Sequence, residues 1–161
     1  MTGFIKRRAV ANSNLERSDT SQSSERLELT VPAEASRLPE LRRVVGEFAV
    51  SHGAAKDTID SAVLAVHEAC SNVVRHAYGP ESGSLHVKGG CEYGLLQFVV
   101  SDNGTPVADP HARKGAGLGL ELIRTLANDV DIEGPGEQGT RIRITFRLEG
   151  SATGPITDFV G

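Results

Sequence analysis

Long apolar runs are missing from this chain. No stretch approaches the length of a membrane-spanning helix, so a soluble protein without a membrane partner is expected. Cysteine is scarce too: Cys70 and Cys91 stand far apart and form no CxxC or Cys/His cluster, which gives neither a zinc site nor a disulfide framework. Both are expected to stay reduced. Dense positive charge is confined to Lys6, Arg7 and Arg8, and the formal net charge is -4. Direct nucleic-acid binding needs a basic patch to neutralise phosphates, so it is not expected. The opening MTGFIKRRAV has no apolar run or small-residue cleavage site of the secretory kind, which makes the cytoplasm the expected location. Other proteins and a small anionic ligand remain as partners.

What is there fits one domain. The 161 residues, 39% apolar and 24% charged, can bury a real core but leave no room for a kinase module plus a separate sensor domain. Residues 1–25 are polar and Ser-rich and read as a disordered tail, because too little apolar surface offsets the cost of ordering them. Leu27, Leu29 and Val31 alternate with Glu28 and Thr30 until Pro32, the pattern of a short edge strand. Leu38, Leu41, Val44 or Val45 and Phe48 recur at helical spacing over 36–52, with Gly53 as a C-cap. A second helix over 57–77 carries Ile59, Val63, Val66, Cys70, Val73 and Ala77 as its core stripe. Two strands at 84–88 and 95–100 follow, joined by the turn-rich Gly89–Gly94, then a polar lid-like loop over 102–114. Gly115–Gly119 leads into a short helix over 120–127, and strands at 130–132 and 141–146 finish the sheet. Residues 149–161 read as a loose C-terminal tail. This order predicts an α+β fold, a two-layer α/β sandwich with a mixed, mostly antiparallel sheet and helices on one face.

Four places carry residues suited to chemistry. On the second helix, Glu68 and Asn72 are four apart and share a face, with His76 one turn further. A carboxylate there can take a proton from a hydroxyl and an amide oxygen can ligate magnesium, although the spacing equally suits a solvated polar face. Asp102 and Gly104 stand where an apolar strand leaves the sheet. The carboxylate can accept from an exocyclic amine such as that of adenine and the glycine lets the chain approach a ring, but Asp-Asn-Gly is also a common turn. Gly115, Gly117 and Gly119 precede a helix, where free N–H groups can hold phosphates or a hinge can flex. They match neither the dinucleotide GxGxxG nor the GK[ST] of a P-loop. Thr140 opens the last strand, where its hydroxyl can meet a base or the neighbouring backbone.

The segments VHEACSNVVRHAYG, VVSDNGTP, GAGLGLELIRTLANDV and GTRIRITF, in this order, together resemble the four ATP-binding boxes of the gyrase, Hsp90, histidine kinase and MutL superfamily. Within it the chain looks like the small anti-sigma-factor serine/threonine kinases of bacterial stress-response and sporulation partner switches. The resemblance covers about 27–148 and implies a Bergerat-type ATP-binding kinase domain over 26–148. By similarity, Glu68 matches the general base, Asn72 the magnesium-binding Asn, Asp102 the adenine-recognising Asp and Gly104 its neighbouring glycine. Gly115, Gly117 and Gly119 match the phosphate-cradling lid, and Thr140 the base-contacting Thr. Pro106 departs from the pattern, because many relatives carry a second glycine there.

The implied activity is Mg-ATP-dependent phosphorylation of an anti-sigma-factor antagonist on serine, joined to sequestration of a sigma factor, with ATP and Mg2+ as cofactors. Arg42, on the exposed face of the first helix, matches an interface arginine for these partners, although charged helix faces are usually just solvated. Relatives dimerise through the sheet side, so a homodimer is expected. The alternative is a nucleotide-binding regulatory module that acts by association without phosphoryl transfer, and fold alone does not choose between them.

Overall fold

The computed structural model describes residues 25–78, 82–104, 116–151 and 154–161. The tail before residue 25, Gly115 and most of the 102–114 loop with Pro106 lie outside the described residues. Five strands form one sheet, β1 (Leu27–Pro32), β2 (Ser84–Glu92), β3 (Leu95–Asp102), β4 (Asp129–Gly136) and β5 (Gly139–Arg147), in the order β1-β2-β3-β5-β4. Every pairing among them is antiparallel. Three helices, α1 (Leu38–Ser51), α2 (Lys56–His76) and α3 (Ala116–Leu126), accompany the sheet, and a single 3-10 turn, Ala35–Arg37, precedes α1. Pro39 sits in the first turn of α1, where a missing N–H costs no hydrogen bond.

The core lies between the helices and one face of the sheet. Val31, Leu85, Val87, Phe98, Val100, Ile144 and Phe146 supply the sheet side, and Leu41, Val45, Phe48, Val66 and Ile123 the helix side. Phe48 and Phe98 meet edge to face at 5.9 Å between ring centroids, which ties α1 to the middle of the sheet. The buried stripe of α2 keeps Val66, Cys70 and Val73 of the expected one but is turned toward Ala62, Ala65 and Ala69, each 0% exposed, while Ile59, Val63 and Ala77 are partly buried at its flanks. Small side chains at the contact bring α2 close to the sheet, and this matters because α2 carries Glu68 and Asn72.

Two element boundaries differ from expectation. β2 runs through Gly89 and Gly90 to Glu92, and the hairpin closes on Tyr93 and Gly94 alone, both with positive φ, the signature of a tight two-residue turn. Gly89 is needed inside the strand because a Cβ there would press on the Phe48 and Phe98 rings, at 3.1 and 3.2 Å. α3 begins at Ala116, so Gly117 and Gly119 belong to its first turns rather than to a segment ahead of it.

Residues 154–161 also depart from the loose terminus expected there. They lie on the face of the sheet opposite the helices, where the Gln97 side-chain amide donates to the Thr157 carbonyl at 2.8 Å and accepts from the Phe159 N–H at 3.2 Å. Val160 is 4% exposed.

Candidate functional site

α2 is a long helix without a side-chain N-cap, supported instead by Asp57 in its first turn and by Arg75 in its last, charges that complement the helix dipole. It delivers Glu68 and Asn72 to the first turns of α3. A Cβ on Gly119 would lie 3.2 Å from Asn72 Nδ2, 3.3 Å from Asn72 Oδ1 and 3.4 Å from Glu68 Oε2. The carboxylate, the amide and the buried backbone of Gly119 therefore share one small space, bounded by the N-terminal turns of a helix whose free N–H groups favour anions. Gly117 lies two residues before it on α3.

Asp102, Gly104 and Thr140 form a second cluster. Asp102 ends β3 and is 3% exposed. Its Oδ1 accepts the Gly104 N–H at 2.9 Å. Burial raises the Asp102 carboxyl above the ordinary Asp range, while the backbone N–H groups of Gly104 and Thr140 and the nearby His86 pull it down. A carboxylate offers about four lone-pair positions, so two N–H bonds leave it able to accept from a ligand amine. Gly139, at φ +84, brings Thr140 beside it, and any side chain at Gly139 would overlap the Asp102 carbonyl. A cleft of about 780 Å³ opens here, lined among others by Ser101, Asp102, Asn103, Glu133 and Thr140.

The two clusters are joined by the end of α2. A Cβ on Gly104 would overlap the Ala77 carbonyl oxygen, so only glycine lets the 102–104 turn seat against the helix end. Tyr78, two residues past the end of α2, adds the other half of the joint. Its hydroxyl donates to the Ser84 carbonyl at 2.6 Å and accepts from the Asn103 N–H at 3.0 Å. The signal for it was the position of an aromatic hydroxyl just past the helix, which could be weighed only once Asn103 was known to face it.

Arg42 is exposed, well away from the Asp102 cleft, but it shares a groove of about 370 Å³ with Asp60, Val63, Leu64, His67 and Glu68. Arg37, just before α1, pairs with Glu40, and Arg43 pairs with Glu47 along α1; among the described residues Arg42 has no ion-pair partner. His76 points inward with a buried Nδ1 that lacks a hydrogen-bond partner among the described residues.

No group of three or more His, Cys, Asp or Glu among the described residues suits a metal ion. Asn72 fits Mg2+ in another way. That cation keeps several waters and takes phosphate oxygens, needing few protein ligands, and the space beside Gly119 offers one amide oxygen at an anion-favouring helix end.

An α+β domain with an acidic strand end against a glycine turn, and a carboxylate and amide facing the start of a second helix, is the architecture of a nucleotide-binding ATPase domain. Residues 31–146 match the family described as Histidine kinase-like ATPase domain. The serine-protein kinases RsbW of Bacillus cereus and Bacillus anthracis are each 31% identical to the chain over 123 residues, covering 67% of it and 77% of theirs. A crystal structure of the RsbU and RsbW domains of a Mycobacterium tuberculosis protein matches with a TM-score of 0.63 at 25% identity. That match covers 76% of this chain and 32% of the other, so the chain spans about a third of that protein. The chain belongs to the anti-sigma-factor serine kinase family within the histidine kinase-like ATPases.

Proposed function

We propose that this protein transfers the γ-phosphoryl group of ATP to a serine hydroxyl of an anti-sigma-factor antagonist and, as its second activity, holds a sigma factor inactive. The observation that supports it best is the meeting of Glu68, Asn72 and Gly119 in one space, with the Asp102 cluster held to the end of the same helix. Asp102 accepts the adenine amine, with Gly104 and Thr140 beside the ring. The N-terminal turns of α3, Gly117 and Gly119 with Gly115 before them, hold the phosphates through backbone N–H groups. Asn72 offers its amide oxygen to Mg2+, which supplies charge neutralisation across the phosphates when bound. Glu68 takes the serine proton as the Oγ attacks the γ-phosphorus; the bond to the β,γ-bridging oxygen breaks and ADP leaves with the electron pair. Such catalysis is mostly positioning and electrostatics, so the proton transfer is its one covalent task for a side chain.

Glu68 also lines the groove that holds Arg42 and Leu64, so an acceptor segment reaches the base from that side. Arg42 serves as a contact for the partner proteins. The protein works in the cytoplasm, in a partner switch of the bacterial stress-response kind, as a homodimer. Asp102→Ala is expected to abolish ATP binding in calorimetry, whereas Glu68→Ala keeps it within about threefold and loses phosphoryl transfer by about 100-fold or more. Transfer unchanged in Glu68→Ala sinks the base assignment. Nucleotide bound with no transfer to any antagonist in the wild type makes the association-only regulator the better reading.

A further inference from the structure

A polar chain runs from the edge of the sheet to the Asp102 turn. Thr30 of β1 stands opposite His86 of β2, and His86 opposite Ser101 of β3, one residue before Asp102. Both ring nitrogens of His86 are engaged: Nδ1 lies 3.0 Å from Thr30 Oγ1 and Nε2 lies 3.4 Å from Asn103 Nδ2. An amide nitrogen only donates, so Nε2 of the neutral ring accepts from Asn103. The ring proton then sits on Nδ1, which donates to Thr30. Asn103 is thus held twice, because its own N–H donates to the Tyr78 hydroxyl. It stands between Asp102 and Gly104 and lines the Asp102 cleft.

Both partners of the ring are uncharged, and each can donate or accept. When His86 takes a second proton, Nε2 becomes a donor and a flip of the Asn103 amide offers it Oδ1, while the bond to Thr30 is unchanged. The ring can therefore carry a charge without releasing the turn. That charge acts on Asp102, whose carboxyl His86 draws down against the burial that raises it. The other charged groups around the ring are Lys88 along β2, Glu28 along β1 and Arg141, opposite Ser101 on β5. Of these, the one carboxylate, Glu28, is matched by Lys88 at 3.9 Å.

We propose that His86 is a positioning residue of the nucleotide site: anchored by Thr30, it fixes the 102–104 turn through Asn103 with its hydrogen bonds and keeps the Asp102 carboxylate ionised with its charge. The site thereby reaches to β1, at the edge of the sheet. The two roles are separable, because the hydrogen bonds need no charge. The effect on ligand binding rests on Asp102 as the acceptor of the adenine amine, whereas the effect on the carboxyl does not.

The test uses the full-length chain, with adenosine affinity read by calorimetry and the Asp102 carboxyl titrated by carbon NMR in the free protein. At about pH 8, His86→Ala should lose about 3–10-fold in adenosine affinity as the turn loosens. Its Asp102 carboxyl should titrate at a higher pH than in the wild type, because the influence that lowers it is gone. His86→Gln keeps a donor and an acceptor without the charge. It should recover the affinity at about pH 8 while its Asp102 still titrates at the raised pH, a split that a merely structural role would not give. Thr30→Val should weaken adenosine in the wild-type background and not in His86→Ala, since it acts through the ring. Asp102 titrating as in the wild type in a folded His86→Gln overturns the proposal, as does full wild-type affinity in both His86→Ala and Thr30→Val when circular dichroism shows them folded. Adenosine that fails to bind the wild type at any pH removes the base-reading role of Asp102 and the positioning role of His86 with it. Wild-type binding that none of the three variants changes overturns the proposal alone and leaves Asp102 in place.

Discussion

Asp102 sets burial against charge. Its carboxyl is raised by desolvation, and the Gly104 and Thr140 N–H groups and His86 only partly reverse this. The sign for binding follows: the ionised form, the better acceptor for an amine, is present above the raised pKa and is lost as pH falls through it. Protonation therefore sets in at a higher pH than for an ordinary Asp. Adenosine is the right probe, because it carries no phosphate of its own to titrate. Its affinity should drop as pH falls into the acid range, beginning at a higher pH than an ordinary Asp would give, and a flat calorimetric profile would remove Asp102 from base recognition. Cys70 makes a second test at this scale. Fully buried, its thiol is pushed up to about 12, whereas Cys91 is half-buried and raised by burial and by Glu92. Maleimide should label Cys91 slowly and leave Cys70 untouched until the protein unfolds. Early labelling of Cys70, read by mass spectrometry, would contradict the burial of α2 against the sheet.

Among the elements, α2 is the spine of the site, because one end faces α3 through Glu68 and Asn72 and the other holds the 102–104 turn through Ala77. Gly104→Ala should force that turn off the helix end, costing about 1–3 kcal/mol in denaturant unfolding and lowering ATP affinity with it. If stability and affinity both stay at wild-type values, the joint is not what positions the turn. Much of this was legible in the sequence. Glu68, Asn72 and Asp102 could be read through the resemblance of their segments to the ATP-binding boxes; the i, i+4 spacing and the strand end placed them on a helix face and at a sheet edge but by themselves suited a solvated face and a plain turn. The rotation of α2 was not, since alanines carry little hydrophobic signal yet are what a close helix–sheet contact selects. Gly89 and Gly90 read as a turn because the aromatic rings and Val160 that require them come from distant parts of the chain. The seat of 154–161 depends on Gln97, some 60 residues away, and nothing local in that segment announces it.

At the scale of the whole molecule the site is assembled from α2, α3, β3 and β5, so a bound nucleotide ties the helical layer to the centre of the sheet. A ligand that binds only the folded chain stabilises it by mass action, by about 2.7 kcal/mol at a hundredfold excess over its Kd. For a domain of this size that corresponds to a rise in Tm of about 5–10 °C. Mg-ATP should produce this rise in the wild type and in Glu68→Ala, because the role proposed for that carboxylate is on the acceptor rather than on the nucleotide. Asp102→Ala should show almost none at the same concentration, since the base has lost its acceptor and Thr140 its fixed neighbour. An equal rise in Asp102→Ala would mean that the phosphates alone supply the binding energy, and the cleft beside Asp102 would then have to be given another ligand.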